Sequence, residues 1–100
     1  MAVVTRIVLD VLKPHQPNAL EFTSQLADLG EDYQVNLIVQ EVDDKTQSII
    51  LSITGEGLDF DAISRQIEVM GGSVHSIDEV DVKSRSKRRK SGGQTSSEAP

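Results

Sequence analysis

An apolar spacing that occurs twice is the feature that most constrains the fold of this chain. In residues 19–29 and again in residues 60–70, apolar side chains recur at i, i+3, i+7 and i+10. Such spacing is typical of a helix that buries one stripe of its surface. The stripes are Ala19, Phe22, Leu26 and Leu29 in the first segment and Phe60, Ile63, Ile67 and Met70 in the second. The repeat therefore predicts two helices that each need an apolar surface to pack against.

Four segments with alternating apolar side chains surround these two stripes and predict that surface. They are residues 3–12, 35–42, 47–54 and 73–82, and alternation places every second side chain on one face of a sheet. The short polar stretch 43–46 joins the middle two as a hairpin. The order β-α-β-β-α-β predicts an α+β, ferredoxin-like fold, with an antiparallel sheet of order 4-1-3-2 and both helices on one face.

The predicted helix ends carry residues that stop or start helices. Asn18 followed by Glu21 resembles a capping box, and Asp59 is suited to cap the second helix. Gly30 is expected to end the first helix, and the pair Gly71-Gly72 the second.

Charge divides the chain into two parts. Residues 1–82 contain 15 acidic and 4 basic residues, whereas residues 83–100 contain 6 basic residues and 1 acidic residue. We expect residues 1–82 to form the domain and residues 83–100 to be a disordered, basic, Ser- and Gly-rich tail. The acidic part repels nucleic acid and anionic membranes, and its composition is also typical of proteins from a high-salt cytoplasm. Because the chain lacks cysteine, a signal-peptide pattern and a long apolar run, we expect a cytoplasmic protein without membrane association.

The sheet face opposite the helices is expected to be an interface. Unbroken alternation places there Arg6, Val8, Asp10, Leu12, Ile38, Val42 and Ile50. An exposed apolar surface of this size usually marks a contact between proteins. We therefore predict a homo-oligomer, either a ring or another assembly. Arg6 and Asp10 are expected to pair across its subunits.

Two segments carry a resemblance to a known family. Residues 6–15, RIVLDVLKPH, and residues 71–80, GGSVHSIDEV, resemble the archaeal family catalogued as domain of unknown function 211. The spacing of residues 41–43 and of the helix that starts at Asp59 agrees with it. The resemblance covers residues 1–82 and excludes the tail. It implies a small ferredoxin-like protein that assembles into rings or larger oligomers, and it implies no activity.

A first candidate site lies where the end of strand one meets the start of strand four. Topology is expected to bring together two groups, namely Asp10, Lys13 and His15 with Ser73, His75 and Ser76. A histidine with a carboxylate is the minimum for acid–base chemistry or for a pair of metal ligands. The alternative is a solvated His15 and a hydrogen-bonded His75. We predict that Asp10, Lys13, His15, His75 and Ser76 bind a small ligand.

Carboxylates at the opposite end of the sheet form a second candidate site. Glu56, Asp59, Asp78 and Glu79, with Asp81 beside them, provide the oxygen ligands that Ca²⁺ prefers. The alternative is a solvated acidic rim in which Asp59 only caps a helix.

The leading interpretation is a non-enzymatic homo-oligomer that binds a small ligand, or a divalent cation such as calcium, between subunits. The strands lack the aromatic residues of an RNA-recognition sheet, and no nucleophile motif is present. One alternative is a protein that associates with nucleic acid through the basic run 87–90 in the tail. Another is an enzyme whose interface site uses Asp10, His15 and His75.

Overall fold

Strands and helices follow one another in the predicted order in the computed structural model, which describes residues 2–85. The elements are β1 (Ala2–Pro14), α1 (Ala19–Ala27), β2 (Gln34–Val42), β3 (Thr46–Thr54), α2 (Phe60–Val69) and β4 (Ser73–Ser84). All neighbouring strands are antiparallel, and the sheet order β2-β3-β1-β4 is the predicted order read from the other edge. The predicted α+β class and the element order are therefore confirmed.

Two strands extend two residues beyond their predicted C-terminal ends. β1 extends to Pro14. Proline has no N–H to donate to a neighbouring strand, but Pro14 pairs only with β3, because the pairing with β4 ends at Leu12. β4 continues to Ser84, which is inside the segment assigned to the tail. Residues 86–100, which contain most of the predicted disordered tail and its basic run, lie outside the described residues.

Both predicted N-caps are confirmed by hydrogen bonds. The Asn18 side chain accepts the N–H of Glu21 at 2.9 Å, and the Asp59 side chain accepts the N–H of Ala62 at 3.1 Å. A third contact fixes the start of α2, because the backbone N–H of Asp59 donates to the Tyr33 hydroxyl at 2.9 Å.

The two glycine predictions have different outcomes. Gly71 has a φ of 88° and follows α2, while the N–H of Gly72 reaches the carbonyl of Ile67 at 2.9 Å, so this pair ends the helix as expected. The prediction for Gly30 is wrong, because α1 already ends at Ala27 and is capped by Asp28. Gly30 instead makes room for a ring, since a Cβ at this position would collide with Tyr33.

One apolar core lies between the helices and one face of the sheet. Every second residue is buried from Ile7 to Lys13 on β1 and from Ile49 to Ile53 on β3, and the buried residues of both helices join the same apolar cluster. The cluster includes Ile7, Leu9 and Val11 from β1, Ile49, Leu51 and Ile53 from β3, and Phe22, Leu26, Ile63 and Ile67 from the helices. Both helices therefore cover the same face, as predicted. We call the opposite side of the sheet the open face.

A bulge in β2 overturns one face assignment. β2 pairs with β3 residue by residue as far as Val39; Gln40 is then left without a partner, and Val42 comes opposite Gln47. Gln47 is on the helix-covered side, where it hydrogen-bonds to Lys13. Because one inserted residue shifts a period of two, Val42 lies on the helix side, and its prediction as an open-face residue is wrong.

Candidate functional site

The open face has a carboxylate with apolar side chains on three sides and a serine on the fourth. Asp10 on β1 lies opposite Ile50 of β3, and Ile50 lies opposite Ile38 of β2. Val8 and Leu12 flank Asp10 along β1 on the same face. Leu12 is 43% exposed and Ile38 56%, whereas Val8 and Ile50 are half-buried. This apolar set is smaller than expected, because the bulge in β2 moves Val42 to the helix side.

A groove on the open face contains the polar groups best placed to bind a ligand. It has a volume of about 330 Å³ and is lined by Asp10, Leu12, Ser48, Ser73 and His75. Four polar groups and one apolar side chain therefore face the same space. The carboxylate accepts hydrogen bonds, whereas the imidazole and the two hydroxyls can both donate and accept them. This combination suits a small molecule that carries hydroxyl or amine donors.

Local irregularities of β4 bring its polar residues to this groove. Relative to β1, the strand has extra residues at His75 and Asp78, so Ser76 comes opposite Asp10 and Ser73 opposite Leu12. Without these insertions, simple alternation does not predict which residues of β4 share the face of Asp10.

Three of the five predicted ligand-binding residues lie together, and two do not. Asp10, His75 and Ser76 are neighbours across β1 and β4. Lys13 is an odd-numbered residue of β1 and lies on the helix side with the core. His15 lies in the turn after β1, where its Nε2 is 2.8 Å from the carbonyl oxygen of Asp43 in the β2–β3 hairpin. The proposed catalytic trio of Asp10, His15 and His75 is therefore not assembled within one chain.

The side chain of Lys13 is fully buried on the helix side of the sheet, away from the groove. Its Nζ donates to the carbonyl of Pro14 at 2.8 Å and to the amide oxygen of Gln47 at 3.1 Å. Nζ also lies 5.6 Å from the centre of the Phe22 ring. Desolvation lowers the pKa of Lys13, because burial disfavours its charged form. The lysine links the ends of β1 and β3 to α1.

The carboxylates predicted to bind calcium do not converge. Among residues 2–85, no three His, Asp or Glu side chains lie close enough to hold a metal ion. Each candidate has a different partner: Asp59 caps α2, Asp78 accepts a hydrogen bond from Ser76 at 2.6 Å, Glu79 pairs with Arg6 at 2.7 Å, and Glu56 lies 3.7 Å from Lys83. The calcium site is therefore not formed within the described part of one chain.

Two ion pairs bear on other expectations. Because Arg6 is bound to Glu79 in its own chain, the predicted pairing of Arg6 with Asp10 of another subunit would have to compete with this bridge. Lys83 and Arg85, the first basic residues of the predicted tail, both contact Glu56, through its carboxylate and its carbonyl respectively. The described start of the tail thus contacts the acidic body.

The groove includes residues that the sequence analysis did not assign to ligand binding. Ser48 and Leu12 lie opposite each other on β3 and β1, and both line the groove. The sequence pattern predicts Leu12 only as a residue of the oligomer interface. Ser48 is recognised only from the strand pairing, since an isolated serine in an apolar strand carries no signal of its own.

No helix among the described residues has the length and apolar character required to cross a bilayer.

Comparison with known proteins places the chain among uncharacterised relatives. A family model described as "DUF211: Uncharacterized ArCR" matches residues 5–86. The chain is 46% identical over 77 residues to "Uncharacterized protein MJ0319" of Methanocaldococcus jannaschii, and the alignment covers 77% of this chain and 79% of the relative. The resemblance inferred from residues 6–15 and 71–80 is therefore confirmed.

Proposed function

The chain belongs to the DUF211 family, whose description names no activity, and we propose that it is a self-assembling ferredoxin-like domain that uses its open sheet face to contact another copy. The proposal rests on one observation. Apolar side chains at Val8, Leu12, Ile38 and Ile50 stand on a sheet face that no described element of the same chain covers. The ferredoxin-like assignment is supported by the β-α-β-β-α-β order and by the position of both helices on one face.

The gain from covering this face can be estimated from exposure. Burying a fully exposed apolar side chain contributes about 1.5–3 kcal/mol, and these four are exposed by about half or less. Two copies together therefore gain roughly 4–8 kcal/mol. Association costs about 4–15 kcal/mol in lost freedom of motion and side-chain ordering. The open face by itself thus supports weak association, and a stable oligomer requires a further contact.

Charge also limits this association. The described domain is strongly acidic, so two copies repel each other at low ionic strength. Salt screens that repulsion and strengthens apolar contacts, and we expect assembly to increase from low to molar salt.

The groove provides the ligand site of the proposal. Because it lies on the open face, a second copy placed there would enclose the Asp10 carboxylate and the His75 imidazole and remove them from bulk water. Desolvation strengthens hydrogen bonds to a bound molecule. We propose a small hydroxyl- or amine-bearing ligand held between subunits.

Matched substitutions on opposite faces test the assembly. Val8→Asp adds a carboxylate in the apolar part of the open face, and Val42→Asp places one on the helix side at a position that is 62% exposed. Sedimentation at micromolar concentration, in low and molar salt, should show loss of assembly for Val8→Asp and no change for Val42→Asp. A wild-type monomer under both conditions, or equal effects of the two variants, would refute the use of the open face.

Native mass spectrometry of the gently purified protein tests the ligand. We expect a retained small molecule in the wild-type oligomer and its loss in the double variant Asp10→Asn/His75→Ala. Retention in that variant would show that the groove is not the binding site.

A further inference from the structure

The two edges of the sheet differ in how well they are protected against pairing with another strand. An edge strand exposes a row of unpaired backbone N–H and C=O groups, and proteins usually block such a row with charges, prolines or bulges. The edges here are β4 and β2. β4 is protected, since it carries three carboxylates within residues 78–81 and two insertions relative to β1.

The β2 edge has none of these protections over most of its length. From residue 34 to residue 39 it contains no charged residue, no proline and no glycine, and its pairing with β3 is regular; the bulge at Gln40 and the charged Glu41 follow only at its C-terminal end. Ile38 and Val39 are 56% and 40% exposed and point to opposite faces. In an acidic protein, this is an uncharged strand edge that another copy can approach closely.

The sequence of β2 is close to a palindrome. It reads Gln-Val-Asn-Leu-Ile-Val-Gln over residues 34–40, with Leu37 at the centre. Two copies that pair antiparallel about a two-fold axis at Leu37 match like with like at most positions. The pairs are Gln34 with Gln40, Val35 with Val39, Asn36 with Ile38, and Leu37 with Leu37.

This axis also agrees with the arrangement of the faces. Residues directly opposite in an antiparallel pair share a face, and each pair within residues 35–39, where β2 alternates regularly, joins two odd-numbered or two even-numbered positions. The helix layers of both copies therefore remain on the same side, where Val35, Leu37 and Val39 of the two copies meet. Apolar pairs directly opposite each other stabilise neighbouring strands.

We propose that β2 pairs antiparallel with β2 of a second copy, in the register centred on Leu37, so that two four-stranded sheets form one of eight strands. This contact is separate from the open face and adds to it the further contact that a stable oligomer requires. Its partner is another copy of this chain because the edge is complementary to itself.

The absence of cysteine from the chain allows a direct test by cross-linking. A disulfide requires Cα atoms about 4.4–6.8 Å apart, and directly opposite residues of an antiparallel pair lie about 4.5–5.5 Å apart. In the proposed register Leu37→Cys faces itself across the axis. Val39→Cys faces Val35 and lies about 14 Å along the strand from its own copy in the partner, at about 3.4 Å per residue.

Val39→Cys is the matched control, because position 39 is more exposed than position 37. Random collisions would oxidise Val39→Cys faster than Leu37→Cys, because Leu37 is half-buried. The proposal predicts the reverse. Held in a pair, position 37 has an effective concentration near the millimolar range, so at about 10 μM protein its cross-linking should be roughly 100-fold faster. The readout is the reductant-sensitive dimer on a denaturing gel over time.

A second variant guards against a change in folding at position 37. The double variant Val35→Cys/Val39→Cys should also form a cross-linked dimer, although Val39→Cys alone does not. Equal rates at positions 37 and 39, or no dimer from either Leu37→Cys or the double variant, would overturn the proposal. Since these variants leave Val8 unchanged, failure here is distinct from failure of the open-face contact.

Discussion

Replacing Gly71 by alanine should destabilise the domain, because two features of this position exclude a Cβ atom. Gly71 has a φ of 88°, and a Cβ there would lie 3.2 Å from Cγ of Pro14. A left-handed backbone costs an L-residue about 1–2 kcal/mol, and the tight contact with a rigid proline ring adds to this. We expect Gly71→Ala to lower the free energy of unfolding by about 1–3 kcal/mol.

The same substitution at Gly57 is the matched control. A Cβ at Gly57 has no heavy atom within 4 Å, and its φ is not in the left-handed region. Gly57→Ala should therefore stabilise by about 0.4–1 kcal/mol, since it restricts the unfolded chain. Gly71→Asn should lie between the two alanine variants, because asparagine tolerates the left-handed region better than alanine does.

Thermal and urea unfolding followed by circular dichroism measure these differences. For a domain of this size, 1 kcal/mol corresponds to about 4–8 °C in Tm, so Gly71→Ala should melt about 5–20 °C below the wild type. The turn also sets the start of β4, and a weaker turn should loosen Ser73 and His75 in the groove. If Gly71→Ala and Gly57→Ala have the same stability, the argument from φ and from Pro14 is incorrect.

Two further predictions concern charged residues. The pKa of Lys13 is lowered in the folded state, so the unfolded state binds more protons between that pKa and the ordinary value of 10.5, and the free energy of unfolding should rise as pH increases toward 10.5. Lys13→Met should remove this rise, which urea unfolding from pH 7 to 10.5 measures. If the free energy of unfolding changes equally with pH in the wild type and in the variant, the argument is incorrect. The pair Arg6–Glu79 joins side chains that are 34% and 57% exposed, so a double-mutant cycle of Arg6→Gln and Glu79→Gln should give a coupling below about 1 kcal/mol that decreases in molar salt. A coupling of several kcal/mol would show that the bridge is a major support of the open face.

The candidate site was only partly predictable because it depends on which face each residue occupies. Asp10 and His75 were placed together from topology alone, since the end of the first strand and the start of the last lie side by side in this element order. The position of Lys13 is predictable from the alternation alone, because Lys13 has the same parity on β1 as Leu9 and Val11 and therefore points to the core. Ser48 required the register of β3 against β1.

The sequence by itself determined the number, type and order of the elements. Local chemistry carries this information: period-two and helical apolar spacing, the caps at Asn18 and Asp59, and the left-handed turn at Gly71 act within a few residues of each other. The tertiary structure decided the faces of the edge strands. Both edge strands contain inserted residues that have no partner in the neighbouring strand, namely Gln40 in β2 and His75 and Asp78 in β4. Each insertion moves the residues after it to the other face. Such an insertion is defined only by the partner strand, which lies far away in the sequence, and this is why Val42 faces the helices and Ser76 lies beside Asp10.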